Sequence, residues 1–544
     1  MACASRRVTV RRAQPHPLDN MESLMNQPNL LPAGGAATPR TTGVTLAVFA
    51  PFGTDEVLSA YPDGASQDLA QHPLMRALLK VAESGVNVCA AIDLFDDSTY
   101  LVDIPAGHPA DLQVTERWKQ DMTSPITLAG LLRHAHLQAP DAALVLALEG
   151  HGAGFLPDLD RSKLSLASVT ANGTIQWKVS QDATTPVNSN GDPVLPFGSP
   201  TLPFGSPTLP VNHMPLSTWA LGDALKQALD AGVPKLAAIH FNNCFNMSVE
   251  VLHTVAPYAD YATGYENYNF FTAGAAYPAV FQKLAAAGSA TAQQLAQWFA
   301  DGNKDILAAK GNHPTVGCVV QLARLQAIVE RIDDLADALL AALRTSAPAQ
   351  RPTIVQKIRS AIRRAQQFDT NANMDLETPD ELTDIDSLAT ELMATDFAPF
   401  KVQQAAAGLR DALKDIKRYG AVDAPWTAPG ALWDFSAKNL AMNIFLPDPL
   451  LLGLWDWRSP YYLDVNPDPT LPRVQPHIID FVKVTDWVDF IVEYHKGQPF
   501  KGLLPAAIPE FPVFNARYEP PKGRQPDPCG DGDIPKGDDK PRRA

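Results

Sequence analysis

The chain has 544 residues with 44 Lys and Arg against 59 Asp and Glu, a formal charge of -15. That balance is wrong for neutralising phosphates, so no nucleic-acid partner is expected. The length exceeds one ordinary domain, 46% of the residues are hydrophobic, and no apolar run approaches the roughly 18 residues of a membrane span.

Residues 1–41, rich in Pro, Asn, Arg and Gly without periodicity, read as a disordered leader. Arg6, Arg7, Arg11 and Arg12 form a basic patch with no apolar stretch behind it, so no secretory signal is expected and the cytoplasm is favoured over export. From Val44 onward strand and helix patterns alternate. "VTLAVFAPF" predicts a strand, "LMRALLKVAESG" a helix ending at Gly85, "VNVCAAIDLF" a strand, "ITLAGLLRHAHLQAP" a helix and "AALVLALEGHG" a third strand running into glycine. Such alternation predicts a mostly parallel sheet covered on both faces, an α/β sandwich.

Residues 158–215 break the pattern. They contain the tandem "LPFGSPTLPFGSPTLP", whose Pro and Gly forbid regular structure, and form a Pro/Gly-rich insert loop. "LSTWALGDALKQALDAG" then predicts a helix with Ser217 as N-cap and Gly232 past its end, and "VPKLAAIHF" a fourth strand leading to "NNCFNMSVEV", read as a turn into another helix. Residues 42–284 are taken as one domain, 285–420 as a mainly helical subdomain, 421–507 as a C-terminal subdomain and 508–544 as a disordered tail.

The five cysteines, Cys3, Cys89, Cys244, Cys318 and Cys529, never form a CxxC pair, so neither a disulfide framework nor a metal site is expected, and no cofactor is assigned. Cys89 and Cys318 sit in strand-like runs as small core residues. Cys244 differs by closing a strand. It reads either as buried filler or as a nucleophile, which a neighbouring imidazole and a following helix N-terminus would activate. His151, between glycines after another strand, reads either as a turn residue or as that imidazole. Gly152 allows close backbone approach, and its N–H with that of Cys244 could receive an oxyanion.

"AALVLALEGHGAGF" resembles the strand and His-Gly turn of the clostripain-like cysteine peptidases, relatives of caspases and gingipains. "LAAIHFNNCFNMSVEVLHTVAPYADYATGYEN" is similar to that family's strand-to-Cys motif, and "TVGCVVQLARLQAIVERIDDLADAL", "MNIFLPDP" and "TDWVDFIVEYHKG" to later segments, over residues 42–498. The resemblance implies a caspase-like α/β/α sandwich and a thiol protease acting on polypeptides. Cys244 would be the nucleophile and His151 the proton carrier, with Gly152 and Cys244 as oxyanion amides. Where that family commonly has an aspartate two residues before the nucleophile, selecting Arg or Lys, this chain has Asn242, which removes the ionic part of such a preference. Asp260 and Glu266 are the downstream acids that could restore it. The alternatives are a non-catalytic caspase-fold binding or scaffold protein, and an amide hydrolase or acyl transferase using the same dyad on a non-peptide substrate. Oligomeric state is not readable.

Overall fold

The computed structural model describes residues 43–52, 58, 69–94, 98–116, 122–158, 216–267, 269, 272–309, 315–368, 381–419, 440–450, 455, 458–464 and 477–498. The leader, nearly all of the insert and the C-terminal tail lie outside these. Among the described residues no helix is long and apolar enough to cross a membrane.

In chain order the strands are β1 (Val44–Pro51), β2 (Asn87–Leu94), β3 (Ser98–Ile104), β4 (Gln113–Glu116), β5 (Ala143–Leu148), β6 (Leu236–Phe241), β7 (Ala259–Tyr265), β8 (Gly317–Gln321), β9 (Gln367–Phe368), β10 (Leu382–Asp384), β11 (Lys417–Tyr419) and β12 (Asn443–Phe445). Nine form one sheet in the order β11-β8-β7-β6-β5-β1-β2-β3-β4, and β12-β10-β9 form a small antiparallel sheet. In the large sheet β2, β1, β5, β6 and β7 are parallel. The pairs β3/β4 and β8/β11 extend it antiparallel at its two edges.

The parallel strands are apolar along their whole length because helices cover both faces; every residue of β1 is buried. The helix Pro73–Glu83 buries Leu74, Leu78, Val81 and Ala82, and Thr218–Asp230 buries Leu221, Ala224, Leu225 and Ala228, both at helical spacing. Ser217 does cap the second of these, its Oγ accepting from Ala220 N at 3.0 Å, and Gly232 lies past the end with φ +90°. The helix Leu325–Thr345 buries Leu325, Val329, Ile332, Leu335 and Leu339 at helical spacing.

One expectation at the cysteine fails. The chain does not turn from Cys244 straight into a helix: that helix is Val249–Val255, with Ser248 as its N-cap. Residues 242–248 instead run as an irregular segment stitched to its neighbours. Phe245 N bonds Asn267 O at 2.9 Å, Met247 N bonds Tyr265 O at 3.0 Å and Asn443 N bonds Met247 O at 3.0 Å. These backbone partners outcompete a helical ladder there, so a helix dipole at the sulfur has no structural basis.

Candidate active site

The parallel register fixes the site. Leu148 of β5 stands opposite Phe241 of β6, and His151 and Cys244 each follow three residues beyond that rung. Two loops leaving adjacent parallel strands at one level must lie side by side, at the carboxyl end where α/β sheets gather function. They touch. A Cβ built on Gly152 would fall 2.0 Å from Cys244 O, 3.0 Å from Cys244 N and 3.1 Å from Asn243 Cγ. Glycine is obligatory there because the clash is with backbone, which cannot rotate away.

Cys244 is 5% exposed and so is His151. The sulfur accepts a hydrogen bond from Asn269 N–H at 3.4 Å. The next residue, Phe245, has φ +60°, in the left-handed region that side chains other than glycine's rarely adopt. Holding it there costs about 1–2 kcal/mol, offset by the bonds that pin its two backbone groups: Asn267 O accepts from its N–H, and Asn443 Nδ2 donates to its carbonyl at 2.9 Å. Asn443 Nδ2 also donates to Glu266 O at 2.8 Å, so one buried amide ties the cysteine segment to the end of β7.

The histidine loop has its own clamp. Arg458, fully buried, donates to Ala153 O at 2.9 Å and Phe155 O at 3.3 Å, with its guanidinium 4.8 Å from the centre of the Phe445 ring. Glu250 is structural: its carboxyl accepts from Ser248 Oγ at 2.6 Å, Phe445 N at 2.9 Å and Tyr462 OH at 2.9 Å.

Asn242 is the hub of a buried polar cluster. Its Nδ2 donates to Glu149 Oε1 at 2.9 Å, and its Oδ1 accepts from Asn269 Nδ2 at 2.8 Å, Thr272 Oγ1 at 3.1 Å and Asn303 Nδ2 at 3.3 Å. Asn303 also donates to Asn269 Oδ1 at 2.7 Å. Glu149 takes a further hydrogen bond from the Tyr277 hydroxyl. Burial pushes the Glu149 carboxyl up to about 7, against the opposing pull of the Tyr277 and Asn242 hydrogen bonds.

The two downstream acids are placed elsewhere. Asp260 sits at the amino end of β7, near the rung where Leu236 faces Ala259, and pairs with Lys235 at 3.5 Å. That is the opposite end of the sheet from Cys244, because β6 and β7 are parallel. Glu266 is at the correct end but fully buried. Burial first, then the neighbouring Asp384 carboxyl, raise it well above the carboxylate range. Its side chain thus belongs with Asp384, itself pushed up to about 6 by burial, and not with the Asn242 cluster.

A second cysteine and histidine also come close, Cys89 and His134, together with Asp103. The His134 Nε2 is directed at Asp103, 2.8 and 3.0 Å from its two oxygens. Burial and the Asp103 charge push the Cys89 thiol far up. A thiol held protonated, with the imidazole turned to a carboxylate, is no nucleophile.

Sequence reasoning missed Glu149, Asn269, Thr272, Asn303, Asn443 and Arg458. Glu149 alone carried a signal, a charged residue closing an apolar strand two positions before the histidine. The rest come from distant segments joined only by folding.

Residues 216–394 match the family model described as the clostripain family. Among solved structures, the chain is similar at 13% identity to a secreted C11 cysteine protease from Bacteroides thetaiotaomicron in complex with an irreversible peptide inhibitor. The similarity covers 74% of this chain and 92% of that one, with a TM-score of 0.45. An inactive zymogen C11 protease from Parabacteroides distasonis is similar at 13% identity, over 76% and 94% of the two chains, also with a TM-score of 0.45. No match is found among curated proteins.

Proposed function

We propose that this chain, a cysteine peptidase of the clostripain family, hydrolyses peptide bonds of polypeptide substrates with Cys244 as nucleophile and His151 as proton carrier. One observation carries the reading: the Gly152 and Cys244 backbones are in contact across two adjacent strand ends, a proximity that the fold maintains at the cost of any side chain at residue 152.

The chemistry follows from the groups present. The Cys244 thiol proton passes to His151 as the sulfur bonds to the substrate carbonyl carbon. The resulting oxyanion sits against the N–H groups of Gly152 and Cys244. The C–N bond breaks as His151 returns the proton to the leaving amine. Water then attacks the thioester, its proton again taken by His151, and releases the acid and the free thiol. The Asn269 N–H helps because a hydrogen bond to sulfur strengthens as the sulfur gains charge.

Asn242 shapes specificity. Its carbonyl already accepts three donors and its amide is bonded to Glu149, so it offers a basic side chain neither charge nor a free acceptor. A substrate residue seated beside it is therefore selected by fit and neutral polarity. Profiling cleavage of a peptide library tests both parts. The expected result is cleavage after uncharged residues at least as fast as after Arg or Lys, abolished in Cys244→Ala and in His151→Ala. Strict cleavage after Arg or Lys would overturn the specificity, and cleavage that survives Cys244→Ala would overturn the mechanism.

A further inference from the structure

The geometry points to a metal site, separate from the candidate active site, in which Cys89, Asp103 and His134 hold a zinc-type divalent cation. Cys89 on β2 and Asp103 on β3 are directly paired across the antiparallel edge of the large sheet. His134 comes from the helix Pro125–Gln138. The sulfur, a carboxylate oxygen and a ring nitrogen all lie within 4.8 Å of one another.

Zinc bonds of about 2.0–2.3 Å in a tetrahedron separate the ligand atoms by roughly 3.3–3.8 Å. The observed His134–Asp103 separation of 2.8 Å is slightly short of that, and the set as a whole spans more. Movements of about an ångström, available by side-chain rotation, seat all three on one ion. Access is also provided: the His134 and Asp103 side chains are 30% and 21% exposed, while Cys89 is buried. The ion would enter from the rim and keep a water as fourth ligand.

The ligand types favour this class of metal. Thiolate, imidazole and carboxylate together suit zinc, whereas calcium and magnesium take oxygen ligands throughout. Charge balances as well. A thiolate and a carboxylate neutralise the dication, and the thiol proton goes to solvent on binding. No spacing motif announces the site, because its ligands come from three elements. Its consequence would be a clip joining the β2/β3 edge to the helix that covers it.

The test uses the full chain with Cys3, Cys244 and Cys529 replaced by Ser or Ala, which leaves beside Cys89 the fully buried Cys318, whose thiol is closed to an added metal. Zinc is titrated against a chromogenic chelator, and cobalt(II) is added separately as a spectroscopic probe. One equivalent of zinc should bind, and cobalt should give a thiolate-to-metal charge-transfer band. Asp103→Asn and His134→Gln should each weaken zinc at least about 100-fold, since loss of partners one bond further out already costs 10- to 100-fold. Cys89→Ser should remove the band. Because Cys89 is buried, its variant could lose the fold, so circular dichroism is recorded and the half-buried His134→Gln decides in that case. The proposal is overturned if zinc does not bind, if bound cobalt shows no charge-transfer band, or if His134→Gln binds as tightly as its parent.

Discussion

Glu149 and Asn242 together explain why a neutral amide stands two residues before the candidate nucleophile. Glu149 already places one carboxyl 2.9 Å from the Asn242 amide, and a second acid there would force two carboxylates to share a proton in a buried site. Asn242→Asp is therefore expected to lower stability above pH 7 by about 1–3 kcal/mol, read by denaturant unfolding, and to lose most of that penalty in combination with Glu149→Gln. The single variant Glu149→Gln keeps both hydrogen bonds, since Tyr277 and Asn242 donate to the same oxygen. The wild-type carboxyl is raised from 4.5 to about 7. The folded state thus holds a proton that the unfolded chain releases, and this stabilisation is present below pH 4.5 and lost as pH rises through 7. Relative to Glu149→Gln, the wild type should lose up to about 3 kcal/mol across that window. Equal pH slopes for the two proteins would show that the carboxyl is not held protonated. At Gly152, alanine meets a carbonyl oxygen at 2.0 Å, so Gly152→Ala should cut peptidase activity by about 100-fold or more, as small misplacements of reacting groups do.

At the scale of elements, the strands and helices that carry the site could be read in advance, and the loop between Cys244 and its helix could not. The apolar runs of β1, β2, β5 and β6 are strands for the reason their composition suggests, burial on both faces, and Ser217 and Gly232 end their helix as capping chemistry requires. "FNMSVEV" misled because Met247 and Val251 have the spacing of a helical stripe, while the hydrogen bonds that hold residues 242–248 out of a helix come from Asn267, Tyr265 and Asn443. Those partners lie some 20 to 200 residues away, beyond any local pattern. The same holds for Arg458, whose role depends on a contact with the histidine loop 305 residues earlier. Replacing it with Met should leave two buried carbonyls short of donors, lowering stability by about 1–3 kcal/mol and slowing acylation of Cys244. A variant that unfolds and reacts as the wild type does would remove Arg458 from the set of positioning residues.

On the scale of the whole molecule, two sets of buried titratable groups oppose each other. Burial raises Glu149, Glu250, Glu266, Asp384 and Asp448, whose stabilisation is lost as pH climbs. Burial lowers His72, His240, His253 and His495, which are kept neutral and contribute stability that is lost as pH falls below the ordinary 6.5. Between about pH 4.5 and 6.5 the two slopes oppose, and above 6.5 only the acids of these two sets still titrate, so Tm should fall from pH 6.5 toward pH 8. A Tm that rises across pH 6.5–8 would contradict this balance. The five parallel strands bring the loops after β5 and β6 to one end of the sheet. The most direct measurement exposes the intact chain to a thiol-directed peptide ketone bearing an uncharged residue before the reactive group, then locates the adduct by peptide mass mapping. The account predicts a single adduct on Cys244 that forms at a negligible rate in the folded His151→Ala variant. No adduct, or one that forms equally fast without His151, would contradict it.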